Sequence, residues 1–229
     1  MQYKEIQNIA KDTIKYIKEI IVPGMNLIEI RKLCEDKMLE LGADSFWYWN
    51  IGAFIFSGDE TTISISGKRY ETSDRIIEDN DIITIDLSPQ NENIWGDYAR
   101  TIIIENGNII ENIKDIQNVV WKKGLEMEEL LHKELLKYAK ADTTFEDLYY
   151  HMNDFIKEQG FINLDFLGNL GHSIVTKSED RIYIEKGNQK KLSDVKYFTF
   201  EPHISIVSSS YGYKKENIYY FVGGKLKEL

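Results

Sequence analysis

Ile82-Ile83-Thr84-Ile85-Asp86-Leu87 and, after a short connection, Asp97-Tyr98-Ala99-Arg100-Thr101-Ile102-Ile103-Ile104 are the stretches on which the reading turns. Both runs are apolar and β-branched, the composition of strands. Asp86 closes the first run and Asp97 opens the second, so the two aspartates flank one loop, Leu87 to Gly96. A carboxylate at the end of an apolar β run is costly to bury unless something compensates it. A single such aspartate is ordinarily a turn or cap residue. Two flanking one loop converge on one point, where they repel each other unless a cation holds them.

Outward from this pair the chain alternates between helical and strand-like stretches. Residues 3–21 place Ile6, Ile9, Ala10, Ile14, Ile17 and Ile20 on a helical stripe that Pro23-Gly24 ends. Asn26, with Glu29 three residues on, caps a second helix running through Ile30, Leu33, Cys34, Met38 and Leu41 to Gly42. Strand-like runs follow at Ala53–Phe56, Thr61–Ser66, Ile82–Leu87 and Tyr98–Ile104. Asn106-Gly107 is a turn signal without a clean hairpin partner. The order then recurs: a long helix over about Asp115–Lys140, and a second from near Thr143, with Glu146 three residues later, to Gly160. Apolar runs complete the repeat at Ile182–Ile184, Tyr197–Phe200, Ile204–Val207 and Ile218–Val222. This order predicts an α+β fold of two related halves, about 1–107 and 108–229, in a single domain spanning 1–229, with a ligand site between the halves.

Composition narrows the function classes. The chain has 229 residues and a formal charge of -10, which argues against a nucleic-acid partner held through phosphates. With 42% hydrophobic residues it builds a sizeable core without disulfide or metal. No stretch approaches the ~20 apolar residues of a membrane span. Cys34 is the only cysteine, so no intrachain disulfide forms, and a cytoplasmic location is expected.

The second half supplies further candidates. His172 lies in Gly168-Asn169-Leu170-Gly171-His172-Ser173, where glycines allow close backbone approach. Glu201 follows Phe198-Thr199-Phe200 and precedes Pro202, and Glu216 precedes Asn217-Ile218-Tyr219-Tyr220-Phe221. Strand alternation puts Thr199, Glu201 and His203 on one face, with Pro202 a local distortion. Residue types and spacing by themselves point to a carboxylate/histidine metal site.

The ordered series Ile85-Asp86-Leu87-Ser88, Gly96-Asp97-Tyr98-Ala99-Arg100-Thr101, Leu170-Gly171-His172-Ser173, Thr199-Phe200-Glu201-Pro202 and Gly212-Tyr213-Lys214-Lys215-Glu216 resembles the pita-bread metallopeptidases: methionine aminopeptidases, prolidases and aminopeptidase P. The resemblance covers essentially the whole chain, without the extra N-terminal domain of longer prolidase-type members. It implies a pita-bread fold and two divalent ions (Mn²⁺, Co²⁺, Fe²⁺ or Zn²⁺) between the halves. Asp97 and Glu216 would bridge them, Asp86 would hold one, and His172 with Glu201 the other. Glu201 would also shuttle protons.

The departures are specific. Family members carry an assisting histidine roughly 18–21 residues before the first ligand aspartate; here that window reads Ile65-Ser66-Gly67-Lys68. A second helper, some seven residues after the ligand histidine, is replaced by Glu179. His203, where relatives often have glycine, is the candidate substitute as a catalytic residue. His132 and His151 read as helix-packing residues, and Arg100 as the partner of a carboxylate near the site. Trp47, Trp49 and Phe54 are candidates for the substrate wall, and the loop Thr176–Gln189 either covers the cleft or is solvated. The expected activity is an exopeptidase of the Xaa-Pro aminopeptidase/prolidase type, acting on a peptide. A hydrolase of a small amide or amidine and a non-catalytic binding protein are the alternatives. A homodimer is compatible with this size.

Overall fold

The isoleucine stripe of the N-terminus becomes the buried face of α1 (Tyr3–Ile20), with Ile6, Ala10 and Ile17 almost wholly removed from water. Each isoleucine buried this way contributes about 1.5–3 kcal/mol. The Asn26 side chain accepts from Glu29 N and starts α2 (Leu27–Glu40). The computed structural model describes residues 1–229. Beyond these helices it contains β1 (Ser45–Phe46), β2 (Ala53–Ser57), β3 (Asp81–Leu87), β4 (Pro89–Asn91), β5 (Ile94–Trp95), β6 (Tyr98–Glu105) and β7 (Asn108–Ile109). The second half continues with α3 (Val119–Tyr138), α4 (Phe145–Glu158), β8 (Phe161–Asn163), β9 (Phe198–Phe200), β10 (His203–Ile206), β11 (Gly212–Lys214), β12 (Asn217–Val222) and β13 (Lys225–Glu228). No helix is long and apolar enough to cross a membrane.

All strand pairs are antiparallel. The central sheet runs β2-β3-β6-β7, with Asp86 opposite Ala99 and Phe54 opposite Asp86. Smaller sheets run β1-β4-β5, β11-β10-β8 and β13-β12-β9. Alternation along β3 assigns its two faces. Ile83, Ile85 and Leu87 join α1 and α2 in one core, while Ile82 joins a second core built on α3, α4 and the C-terminal strands. On the Ile82 face the strand then presents Thr84 and Asp86, which line a cleft instead of a core.

Several local expectations differ from the structure. Thr61–Ser66 is not a strand. Residues Gly58–Thr62 form a 3₁₀ turn, because Thr61 and Thr62 hydroxyls donate to the carbonyls of Gly58 and Asp59 three residues back. Ile182–Ile184 makes only an isolated bridge, Tyr183 to His172, since Ile182 N donates to the Ser173 hydroxyl. The second-half helix is capped by Thr144 with Asp147, one position beyond the expected Thr143/Glu146 pair. The long helix begins at Val119, where Asn118 caps it. Asn106-Gly107 does close a hairpin, joining β6 to β7 with Glu105 opposite Asn108. Both turn residues have positive φ, 52° and 75°, the geometry of a tight two-residue turn.

Candidate metal centre

Each candidate ligand is aimed by its own scaffold. Asp97 is pinned by the side chain of Gln7 in α1, which accepts from Asp97 N at 2.9 Å and donates to its carbonyl at 2.8 Å. Glu216 is held through its backbone, with N donating to Ala99 O and the carbonyl accepting from Arg100 Nη1 at 2.8 Å. Arg100 also donates to Asn217 Oδ1 and lies over the Tyr98 ring at 3.7 Å. It therefore braces Glu216 and the start of β12, and does not pair with a carboxylate as expected.

His172 is set by three contacts. Its N donates to Thr199 Oγ1 at 3.0 Å, Thr199 N donates back to its carbonyl, and the ring Nδ1 donates to Ser173 O at 3.0 Å. A carbonyl only accepts, so Nδ1 carries a proton, and Nε2 is the ring nitrogen that faces the cluster. Gly171 makes this possible: its φ is +143°, and a Cβ there would sit 2.3 Å from Thr199 O.

The five side chains meet at one place. Ligand atoms of Asp97, His172 and Glu216 lie within 4.8 Å of one another, as do those of Asp86, Glu201 and Glu216. Asp97 Oδ2 and both Glu216 oxygens are buried without a hydrogen-bond partner. His172 Nε2 is 3.4 Å from Asp97 Oδ2 and 3.7 Å from Glu201 Oε1. Burial, and then the neighbouring Asp97, Glu201 and Asp86, hold the Glu216 carboxyl well above the usual range. Burial likewise pushes Asp97 up to about 6. Orphaned buried carboxylate oxygens are rare and need a compensating partner. A set of hard oxygens with one imidazole fits a divalent cation, so the donor chemistry suits the metal that the sequence resemblance implies.

Lys214, of the Gly212–Glu216 stretch, stands inside the cluster, a role that the sequence reading misses. Its Nζ lies 2.5 Å from Asp86 Oδ2 and 3.1 Å from Glu201 Oε2. Alternation supplies the signal that could have found it, because Lys214 and Glu216 are two residues apart. Although burial disfavours the ammonium, Asp86, Glu201 and Glu216 keep its pKa well above the ordinary value. Glu201 shows the reciprocal effect: burial raises it, but Lys214 and His172 outweigh that and lower it overall.

Above the cluster opens a cleft of about 1100 Å³, including its mouth. Trp47, Phe54, His203 and Arg181 line it, whereas Trp49 does not and is 57% exposed. Trp47 stacks on Trp95 and meets His172 edge-on. His203 is buried, and Nε2–H donates to Thr61 O at 2.7 Å, leaving Nδ1 as an acceptor. Burial lowers its pKa to about 4, so the ring is neutral near pH 7. Arg181 reaches the cleft from the Thr176–Gln189 loop, with its guanidinium over Trp47, Tyr48 and Tyr183 at 4.9–5.4 Å. His132 and His151 lie elsewhere: His132 bonds Tyr219 and Lys215 O, and His151 bonds Glu134.

Comparison with solved structures supports the same fold. X-Pro aminopeptidase from Thermotoga maritima superposes with a TM-score of 0.76 at 24% identity, covering 99% of this chain and 58% of that one. Prolidase from Pyrococcus furiosus gives 0.76 at 23% identity, covering 99% and 61%. Methionine aminopeptidase from Thermotoga maritima gives 0.75 at 13% identity, covering 98% and 93%. An uncharacterized peptidase of Bacillus subtilis, YqhT, is 26% identical over 118 residues, which is 52% of this chain and 31% of that protein. The chain thus spans about three fifths of the X-Pro aminopeptidase and prolidase it matches, and less of YqhT. These neighbours share the pita-bread architecture of two related α+β halves. The profile of metallopeptidase family M24 matches residues 1–222, a span containing all five clustered side chains, and the chain belongs to that family.

Proposed function

We propose that this protein is a metal-dependent exopeptidase acting on short peptides, of the Xaa-Pro aminopeptidase or prolidase type, with up to two divalent ions held by Asp86, Asp97, His172, Glu201 and Glu216. The observation that carries this reading is the buried, partnerless carboxylate of Glu216 at the centre of the cluster, on the floor of a cleft with aromatic walls. Divalent ions bound there supply Lewis acidity toward an amide carbonyl and an acidified water.

The chain's own residues divide the remaining work. Glu201, kept ionised by Lys214, is the base that takes a proton from the attacking water and gives it to the departing amine nitrogen as the C–N bond breaks. Trp47 and Phe54 exclude water from an apolar residue of the substrate. His203 Nδ1 accepts a hydrogen bond from a substrate N–H. Arg181 has no carboxylate partner of its own, so its guanidinium is available for the C-terminal carboxylate of a dipeptide.

The test is a substrate panel after Mn²⁺ or Co²⁺ loading: Xaa-Pro dipeptides, their amidated forms, Xaa-Pro-Yaa tripeptides, N-terminal Met peptides and small amides. Hydrolysis of free dipeptides well above the amidated forms is expected. Loaded protein that cleaves none of them overturns the reading. Cleavage confined to small amides selects a second one, favoured because His172 and His203 are the only imidazoles at the cleft and neither occupies a helper position.

A further inference from the structure

We infer that Asp165 selects the N-terminal residue of the substrate, favouring one whose side chain has an aliphatic stem and a cationic end, as in lysine or arginine. This rests on the exopeptidase reading above and adds to it the class of residue released.

Asp165 is the one carboxylate that lines the cleft outside the clustered side chains. It stands in the connection between β8 and His172, and that connection aims it. Its N donates to Asn163 Oδ1 at 2.9 Å, and its Oδ1 accepts from Leu167 N at 2.9 Å and Asn169 N at 3.0 Å. One oxygen thus holds the loop, while Oδ2 accepts no hydrogen bond from the protein and stays accessible. The two cations of the cleft are engaged elsewhere: Lys214 with Asp86 and Glu201, and Arg181 over the aromatic wall. Burial, foremost, and the nearby Glu201 raise the Asp165 carboxyl above its ordinary value, against the Leu167 and Asn169 N–H groups. A carboxylate so placed gains from a cation that reaches Oδ2.

The surroundings define that cation. Phe166 N donates to Ser64 Oγ at 3.2 Å, which joins the Asp165 loop to the segment bearing Ile63 and Ile65. Ile63, Ile65, Phe166 and Leu167 therefore form one apolar wall beside Asp165, with Phe166 and Leu167 59% and 67% exposed. Such a wall covers the methylenes of a long stem while the charged end meets the acid. The substrate's α-ammonium is the wrong occupant. Its nitrogen is only about 2.5 Å from the scissile carbonyl carbon, so it stays over the cluster when that carbonyl is attacked, whereas Asp165 lies outside both groups of clustered atoms. Proline brings no charged side chain, so in an Xaa-Pro substrate the group that reaches Asp165 is the side chain of Xaa.

The test compares Lys-Pro, Arg-Pro, norleucine-Pro and Glu-Pro as substrates of the Mn²⁺-loaded protein. Norleucine keeps the lysine stem and lacks the ammonium. The kcat/KM for Lys-Pro and Arg-Pro is expected to exceed that for norleucine-Pro about tenfold or more, with Glu-Pro lowest. In Asp165→Asn, which keeps an oxygen for the Leu167 and Asn169 N–H groups, the Lys-Pro to norleucine-Pro ratio falls to near one. Calorimetric binding of the same two dipeptides to the metal-free protein should show the same ranking, and its loss in Asp165→Asn. Circular dichroism verifies that the variant is folded. Equal rates for Lys-Pro and norleucine-Pro in wild type, or a ratio unchanged in folded Asp165→Asn, overturn the inference while leaving the exopeptidase reading intact. Loaded wild type that cleaves none of the four overturns that reading and this inference with it.

Discussion

Replacing Glu216 by glutamine should stabilise the metal-free protein and abolish its response to metal. The Glu216 side chain is wholly buried, both oxygens lack partners, and its ligand atom lies within 4.8 Å of those of Asp86, Asp97 and Glu201. At an effective dielectric of 20, two charges at that separation repel by about 3 kcal/mol. Three such repulsions act on Glu216, and the Lys214 ammonium offsets part of them. Burial and the neighbouring carboxylates hold the Glu216 pKa well above the ordinary value, which relieves part of the remainder. A gain of roughly 2–3 kcal/mol in chelator at pH 8 is the expected residue, or about 4–12 °C in Tm for a chain of this size. Wild type should recover about 2.7 kcal/mol when Mn²⁺ is supplied at 100 times its Kd, and Glu216→Gln almost none. Thermal denaturation with chelator and with Mn²⁺ reads both effects. A variant that melts at or below wild type in chelator, or that responds to Mn²⁺ as wild type does, refutes the argument that this carboxylate is kept for a cation.

Other substitutions probe the scaffold. Gly171→Ala drives a Cβ to 2.3 Å from Thr199 O at a φ of +143°; it should cost about 2–4 kcal/mol and weaken Mn²⁺ binding through His172, both measurable by melting and metal titration. Glu128 is buried, bonds only Thr101 Oγ1, and is raised by burial to about 7 from 4.5. The folded state therefore keeps a proton that the unfolded state has lost, and stability falls as pH rises from about 4.5 through about 7, by on the order of 3 kcal/mol. In Glu128→Gln, urea unfolding between pH 5 and 8 should show a flatter slope; an unchanged slope removes Glu128 from the account. Arg181→Met should raise KM for free-carboxylate dipeptides about tenfold or more, with kcat and the amidated peptides little affected, given the strength of charged hydrogen bonds. Equal effects on both peptide forms would assign Arg181 to loop packing.

Read alone, the sequence determined the α+β class, most element positions and which four carboxylates and one imidazole the fold gathers together. Those features rest on local periodicity and residue type: the isoleucine stripe of α1, the β-branched runs of β3 and β6, and polar residues at their ends. Where local hydrogen bonding competes with periodicity, as at Thr61 and Ile182, the sequence reading misassigned a strand. What tertiary structure alone decided is contact between residues far apart in the chain. The placement of Lys214 between Asp86 and Glu201 depends on β11 reaching across to β3, 128 residues away. Arg100 bracing Glu216, His203 donating to Thr61 O, Arg181 stacked over the cleft and Trp49 turned away from it are of the same kind. A charged side chain takes its role from the partners that low-dielectric burial forces on it. Those partners exist only once the strands have been brought together.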